Sequence, residues 1–567
     1  MNSKIGPGSG PITFGRIMAG AIRALRAASV LCFVLPASAQ DLASAVPDSA
    51  ALEAQHATLG EIRVVNGDVF ATETPEENHW FYRLANRLHI ETRPNVIRQQ
   101  LLFKSGEPYS DRLLRESERI LRGNRYLFDA DIVPVAFHDG VVDVEVRTRD
   151  VWTFKPGINF GRTGGSNTSG FELQESNLLG FGKEVTVARR ETVDRTSNEY
   201  RYFDPHVLGS WTRFAGSYAI NSDGRRRAAT IDRPFYSLDT QWAAGAGALD
   251  WDRTDQRYNL GVVVDEFRHE QEVLEARGGW SAGRHNDWVR RVNFGVRYEL
   301  DEFAPTNSLF SAAVLPQDRK LAYPFIGLTL FNDQYEERRN EDQIERTEDR
   351  YTGTFVQASV GIAQSEWGSD RDAWIWRATG GSAFESALRV HTLRLSIGAS
   401  GRIEDGESRN VIGDAEGRYY WRVTERQLFF ASLRGTAVEQ LDAEKQLLLG
   451  GDTGLRGYPL RFQDGTSQAL LTLEHRVFTK YYLFRLFHVG GAVFFDAGRS
   501  WGRGNAPPLA TSEPTNQGLL TDAGFGLRFG SSRSAFGNVI HVDLAFPFNG
   551  PNTINRMQFI VESKTSF

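Results

Sequence analysis

From Val151 onward the chain alternates apolar and polar side chains over more than four hundred residues, in strand-length segments separated by polar or glycine-bearing turns. In Val539 to Phe548, residues Ile540, Val542, Leu544, Phe546 and Phe548 share one face, and His541, Asp543 and Ala545 the other. Thr521 to Phe529 repeats the scheme, with Ala523, Phe525, Leu527 and Phe529 opposed to Asp522, Gly524, Gly526 and Arg528. So does Thr392 to Arg402, where Leu393, Leu395, Ile397 and Ala399 oppose Arg394, Ser396, Gly398 and Ser400. A period of two means strands with two different faces. A soluble sandwich alternates as well, but seldom over so long a chain. Lipid outside, a polar interior and no open edge satisfy the pattern, so it predicts a closed antiparallel transmembrane β-barrel over residues 151–567. About twenty strand-like segments run from Trp152 to Phe567.

Before Val151 the periodicity is mixed. A strand from Leu59 to Phe70 carries Ile62 and Val64 on one face and ends at Asn66-Gly67-Asp68. Trp80 to Leu88 is a short amphipathic stretch. Pro94 sits where a helix begins, with Ile97, Leu101 and Leu102 as its apolar side and Gly106 as its stop. Ser110 is placed to cap a second helix with Leu113, Leu114, Ser117, Ile120 and Leu121 on one face, closed by Gly123-Asn124. Strands follow at Tyr126 to Phe137 and, after Asp139-Gly140, at Val142, Val144 and Val146. The order is β-α-α-β-β over residues 58–150. Residues 40–57 form a polar, alanine-rich leader with no clear structure.

The ends and the composition place this architecture. Lys4, Arg16, Arg23 and Arg26 precede an apolar run from Ala27 to Leu35 and the small-residue site Ala37-Ser38-Ala39, a secretory signal over residues 1–39 in which Met18 is a plausible start. The run is far short of the roughly 20 residues of a helical span. Cys32, the single cysteine, leaves with the signal, so an exported fold must hold without disulfides. Of 65 basic residues four also leave, and the rest face 71 acidic ones, a balance that excludes general affinity for nucleic acid. Fifty-five glycines, 12 tryptophans and 37 phenylalanines fit strands rather than helices.

Candidate chemistry concentrates in a loop from about Glu439 to Ser467, which holds Gly450-Gly451-Asp452-Thr453-Gly454 and then Leu455, Arg456, Gly457 and Tyr458. Two strands later stand Phe494, Asp496 and Gly498. Alternation through Phe487, Val489, Val493 and Phe495 aims Asp496 into the lumen. Folding the loop inward then sets Arg456 against Asp496 as a charge-assisted, bidentate pair.

The Leu-Arg-Gly-Tyr tetrapeptide resembles the Val-Arg-Gly-Phe/Tyr signature of the BamA/TamA superfamily of bacterial surface antigens, and Phe494-x-Asp496-x-Gly498 resembles its partner motif. The β-α-α-β-β unit, with Gly-Glu-Pro-Tyr between its helices, is similar to the POTRA module of those proteins. The resemblance implies a periplasmic client-receiving domain, a barrel of about 16 strands in the bacterial outer membrane, and work on unfolded outer-membrane or secreted clients with a periplasmic or inner-membrane accessory subunit. Sixteen strands would require that several segments between Trp152 and Glu439 be halves of longer ones. The long polar segments Asn332 to Arg350 and Arg503 to Gln517 are expected outside, and short turns such as Asn221-Ser222-Asp223-Gly224 inside.

The barrel must close the strand Thr153 to Arg162, weakened by Gly157 and Gly161, against Met557 to Phe567, whose Phe559, Val561 and Phe567 face lipid while Ser563 and Thr565 are less apolar than such a strand prefers. A seam of that kind exposes strand edges to which a client strand adds by backbone pairing. Insertion of outer-membrane proteins is therefore the leading function, with a two-partner-type secretion pore or a passive channel as alternatives. An enzyme is the class least supported, and no cofactor is implied. Gly279-Trp280-Ser281-Ala282-Gly283 matches a nucleophile elbow but lacks the helix such a turn needs. Asp250, Asp252 and Asp255 lack the glycine and final glutamate of a calcium loop.

Overall fold

The computed structural model describes residues 46–505, 507, 518–535 and 539–564, the Asn159 side chain aside. The predicted signal, Cys32, most of the Arg503 to Gln517 segment, Thr565 and Phe567 lie outside the described residues.

The N-terminal part contains α1 (Ser49–Ala54), β1 (Thr58–Gly67), α2 (Trp80–Leu88), α3 (Pro94–Arg98), α4 (Asp111–Arg122), β2 (Leu127–His138) and β3 (Val141–Asp150). Within its sheet β3 is central, parallel to β1 and antiparallel to β2. Val142, Val144 and Val146 of β3 point to the helices and are buried with Ile97, Leu114, Leu121 and Leu127. The stretch read as a structureless leader includes α1, whose Ala51 N–H donates to the capping Asp48 carboxylate at 2.8 Å. Two helix boundaries also differ from expectation. Helix α3 stops at Arg98 rather than Gly106, and Ser110 stands at the N-cap of α4 without a side-chain bond to it.

Twenty antiparallel strands, Phe154–Thr163 through Gln558–Lys564, close into one barrel. The count by alternation is right, and the 16 strands implied by resemblance, with halves to be merged between Trp152 and Glu439, are not what the chain forms. The reason is local. The six strands from Phe154–Thr163 to Gly224–Arg233 have 8 to 10 residues each, about the minimum that crosses a bilayer, and true turns separate them. Two of those turns share one design, in which Leu179 and Leu208 adopt left-handed φ of 54° and 53° just before Gly180 and Gly209. The strand Val262–His285, at 24 residues, exceeds the crossing length more than twofold, so its charge-rich beginning stands beyond any bilayer. Among the described residues no helix is long and apolar enough to cross a membrane.

One end of the barrel carries the N-terminal part. Arg93 N–H donates to the Gly180 carbonyl at 3.1 Å, Arg112 pairs with Asp239 at 2.5 Å, and the Tyr82 hydroxyl donates to the Phe484 carbonyl at 3.1 Å. A buried polar knot ties the junction. Both oxygens of Asp150 accept from Thr92 at 2.8 Å, His89 lies 2.9 Å from the same carboxylate, and Asn177 from the first barrel turn donates to Thr92 at 2.8 Å.

These contacts overturn one expectation about the loops. The segment between strands Arg319–Asn332 and Thr354–Ala363 belongs to the end that carries the N-terminal part, and the short turn at Ser222-Asp223 to the opposite end. The segment forms a hairpin of Tyr335–Arg338 with Glu348–Tyr351 and turns into the lumen. Its Ile344 is buried with Tyr420, Leu428, Phe430 and Phe478. Glu348 holds the tip together, accepting the backbone N–H of Glu341 at 3.0 Å and those of Asp342 and Gln343 at 3.2 Å each. Glutamates and arginines made this stretch look like a solvent loop, but they pair with lumen charges instead.

Candidate functional site

The loop between strands Gln427–Glu439 and Ser467–Leu483 enters the lumen from the end opposite the N-terminal part. A short pairing of Leu447–Leu449 with Gln463–Gly465 closes its neck. Its Leu449, Leu455, Tyr458 and Phe462 form an apolar core with Leu470 and Leu520 of the barrel wall. The Tyr458 hydroxyl donates to the Thr521 carbonyl at 2.9 Å and meets Asn549 Oδ1 at 2.6 Å, tying the loop to the wall.

Every second residue of Phe487–Trp501 faces inward, and three of these receive the loop. The Arg456 guanidinium lies over the Phe494 ring, 3.4 Å from its centre. Its Nε and Nη2 donate to the two oxygens of Asp496 at 2.7 and 2.9 Å, the bidentate pair that the sequence predicts. Gly498 has no side chain because Leu455 needs the space: a Cβ there would sit 3.2 Å from methyl carbons of Leu449, Leu455 and Leu470. Gly457 is required for the same reason on the other side, since its Cβ would come within 2.6 Å of the Asp522 Cβ.

The pair is larger than two residues. Arg456 Nη1 donates to Glu474 at 2.7 Å, and the second oxygen of Glu474 accepts from Arg476 Nε at 2.9 Å. Arg476 continues to the Glu341 carbonyl at 2.8 Å and Asp342 at 3.1 Å on the inward hairpin. Arg394 from the wall also reaches Glu341, at 2.6 Å. The hairpin returns to the N-terminal part through Arg122 of α4, which donates to both oxygens of Asp349 at 2.8 and 2.6 Å and to Glu337 at 2.8 Å. All these side chains except Glu337 are buried or half-buried. A charge buried in a lumen stays only where a partner offsets its lost hydration. Here Arg456, Arg476 and Arg122 each meet at least two anionic or carbonyl groups, and Arg394 meets Glu341 and the ring of Tyr420.

The loop also touches the closing strands. Gly164, with φ of 55°, lies in the turn that follows Phe154–Thr163, and a Cβ on it would fall 2.5 Å from the Leu460 nitrogen. Beside that turn, Thr163 donates to Glu562 at 2.5 Å. Between the first and last strands the only backbone pair among the described residues is Arg162 with Val561, against ten between the first two strands and seven between the last two. Ile158 and Phe160 stand exposed along that edge, as does Phe559 opposite. Adding a Cβ to Gly161 would bring it 3.3 Å from the Val561 carbonyl across the seam and 2.5 Å from the Thr168 hydroxyl on the next strand, so a side chain here would crowd both. Gly157 lies further along the same strand.

No protein-family profile and no curated protein matches the chain. Solved structures do. BamA from Haemophilus ducreyi lacking POTRA domains 1–3 is 11% identical, with 90% of this chain and 85% of that one covered and a TM-score of 0.36. CdiB from Escherichia coli is 14% identical over 90% of this chain and 77% of that one, with a TM-score of 0.43. CdiB from Acinetobacter baumannii is 10% identical over 89% and 73%, at 0.38. The chain is similar to all three.

Sequence reasoning did not find Glu474, Arg476 or the inward hairpin. A signal for the first two existed: in Ser467–Leu483 the outward positions are Leu471, Leu473 and Val477, which leaves Glu474 and Arg476 as adjacent inward charges of opposite sign. The two chemical decoys are accounted for by structure. Ser281 lies inside the long strand Val262–His285 and donates to the Arg290 carbonyl at 2.8 Å. Asp250 lies 3.8 Å from Arg227, Asp252 pairs with Arg268, and Asp255 is shared by Arg253 and His269.

Proposed function

We propose that this chain is an outer-membrane assembly factor of the BamA/TamA type. Residues 58–150 act as a POTRA-like periplasmic domain that receives unfolded clients, and the barrel inserts them through the seam between Phe154–Thr163 and Gln558–Lys564. The single backbone pair at the seam among the described residues supports this reading. Every other strand pair of the barrel is joined by seven or more paired residues, whereas the described residues of these two strands share one pair. The exposed edge then offers its N–H and C=O groups to a client strand. Arg456 and its partners hold the inward loop against the Gly164 turn, so the loop braces the barrel beside the place that opens.

A secretion pore is the second reading, favoured by one observation. The lumen keeps a cavity of about 920 Å³ lined by charged side chains, among them Arg253, His269, Asp301, Arg319 and Arg402. Transport by that route would require the loop and the hairpin to leave their places.

The test is crosslinking. Photoreactive residues at Gly157 and Phe559 are expected to capture a stalled outer-membrane precursor, and residues at His269 and Arg402 are not. Capture of an exported polypeptide at the two lumen positions instead would establish the pore.

A further inference from the structure

Helix α2 presents an apolar face that stands exposed among the described residues. Trp80 and Leu88 are 70% and 62% exposed, and Phe81 and Leu84 lie between them on the same side. Soluble domains seldom leave so contiguous an apolar patch uncovered. Arg87 and Arg83 flank this face on its Trp80 side, Asn86 lies opposite it, and the helix carries no acidic residue.

What covers the patch follows from where the helix is tied. Tyr82, buried on the side turned away from this face, donates its hydroxyl to the Phe484 carbonyl at 3.1 Å. Phe484 belongs to the turn between strands Ser467–Leu483 and Phe487–Trp501. Around that turn Tyr481 and Phe484 are 76% and 74% exposed, and they continue the outward row of Phe487 and Val493. A cleft of about 500 Å³ between helix and rim is almost wholly apolar, with Phe81 and Ala85 on one wall and Phe484 and Phe487 on the other. The uncovered face of α2 is thus continuous with the outer surface of the barrel, and not with the lumen or with the remainder of the N-terminal part.

We propose that α2 is an interfacial anchor, lying in the headgroup region of the periplasmic leaflet with Trp80, Phe81, Leu84 and Leu88 among the acyl chains. Its features are those of such helices: a broad apolar arc, aromatic residues at its edge and arginines on the flank, where they meet anionic headgroups. The anchor fixes the N-terminal part against the membrane beside the rim. The inference rests on the barrel lying in a bilayer, but not on which transport reaction it performs.

Nitroxide labels on single cysteines test it in the full-length protein, after Cys32→Ser, reconstituted into vesicles of phosphatidylethanolamine with phosphatidylglycerol. Labels at Leu84 and Leu88 are expected to collide with oxygen more than with a polar nickel chelate, as a label at the outward barrel position Val493 does, whereas one at the exposed Glu107 shows the reverse. If Leu84 and Leu88 behave like Glu107 while Val493 reports lipid, the anchor is overturned and the face serves another partner. If Val493 also reports water, the membrane reading fails and the anchor with it. All four positions are exposed on the isolated chain, so the labels leave the fold intact.

Discussion

Glu474 gives one carboxylate oxygen to Arg456 at 2.7 Å and the other to Arg476 at 2.9 Å. It thereby joins two segments that enter the lumen from opposite ends. Arg456 belongs to the loop from the far end, and Arg476 holds Asp342 of the hairpin from the end that carries the N-terminal part. Replacing Glu474 by Gln leaves Arg456 its bidentate bond to Asp496 but weakens both junctions at Glu474. Cleavage by an added protease is expected to quicken in the loop and in the hairpin together, as mapped by mass spectrometry. Faster cleavage in only one of the two would show that they are independent.

Arg456→Ala is the harsher change. It takes the cation from the buried Asp496 and leaves Glu474 with Arg476 only, a loss of about 3–5 kcal/mol for a broken buried pair. The loop is expected to leave the lumen and the protein to lose most of its activity. Arg456→Lys keeps the charge but not the planar fork that spans both oxygens of Asp496, so it should rescue only in part. Hydrogen exchange across 440–466 measures the loosening directly. Equal protection in wild type and Arg456→Ala would mean that the apolar core around Leu455 and Tyr458 suffices.

Gly457→Ala and Gly498→Ala probe the same docking by volume rather than charge. At Gly457 the new methyl meets the Asp522 Cβ at 2.6 Å, a backbone-proximal atom with little room to move. At Gly498 it meets three leucine methyls at 3.2 Å, which shift more easily. The first substitution is therefore expected to destabilise more, by roughly 1–3 kcal/mol as overpacking does. Thermal unfolding in detergent ranks the two, and the reverse order would count against the loop position described.

How much of this was legible in the sequence depends on the range of the interaction concerned. Alternation is local, so the barrel, the inward aim of Asp496 and even the number of strands follow from residues two apart. The Arg456 to Asp496 pair also follows, because glycines around Arg456 mark a loop that packs closely and Asp496 is an acid on a lumen face. The hairpin at 333–353 does not follow. Its Glu and Arg content matches a solvated loop, and only its position at the N-terminal end, with Arg394 and Arg476 waiting on distant strands, turns it inward. Helix α1 is not legible because six alanine-rich residues make fewer than two turns; its cap and its packing against α4 decide it.

If the hairpin occupies the lumen, removing its tip should open a path. A chain lacking residues 340–346 is expected to show a several-fold higher single-channel conductance in planar bilayers, because Ile344, Glu341 and Asp342 no longer fill the space beside Arg394 and Arg476. Arg122→Ala, which cuts the contact with α4 but leaves the tip in place, is expected to raise only the frequency of brief openings. Unchanged conductance after the deletion would mean that the loop from the other end closes the lumen alone.

The N-terminal part has a pH response of its own. Burial pushes the Glu118 carboxyl up to about 7, although it accepts the Ile132 N–H and lies near Arg122. A carboxyl whose folded value exceeds its unfolded one binds more protons folded than unfolded between the two values. The stability it confers is therefore complete below about 4.5 and lost as pH rises through about 7. Hydrogen exchange at Ile132 should quicken between pH 5 and pH 8 beyond the ordinary chemical trend, by an amount on the order of 2–3 kcal/mol. Glu118→Gln keeps an acceptor for Ile132 without the ionisation, and should flatten that dependence.

The seam makes the most direct prediction. Arg162 and Val561 are directly paired, and the chain beyond the predicted signal has no cysteine, so Arg162→Cys with Val561→Cys creates one defined crosslink. If clients pass between the first and last strands, the oxidised double variant should fail to insert an unfolded outer-membrane protein into proteoliposomes, and a reductant should restore insertion. Neither single variant should be affected, since both side chains lie on the outer face. The loop must also stay docked in the oxidised form, because Leu460 packs on the Gly164 turn just beyond the crosslink; equal hydrogen exchange in 440–466 before and after oxidation would show that the lock acts on the seam and not on Arg456. Full insertion with the seam locked would move the transport route into the lumen, where the charged cavity near His269 and Arg319 is the space that remains.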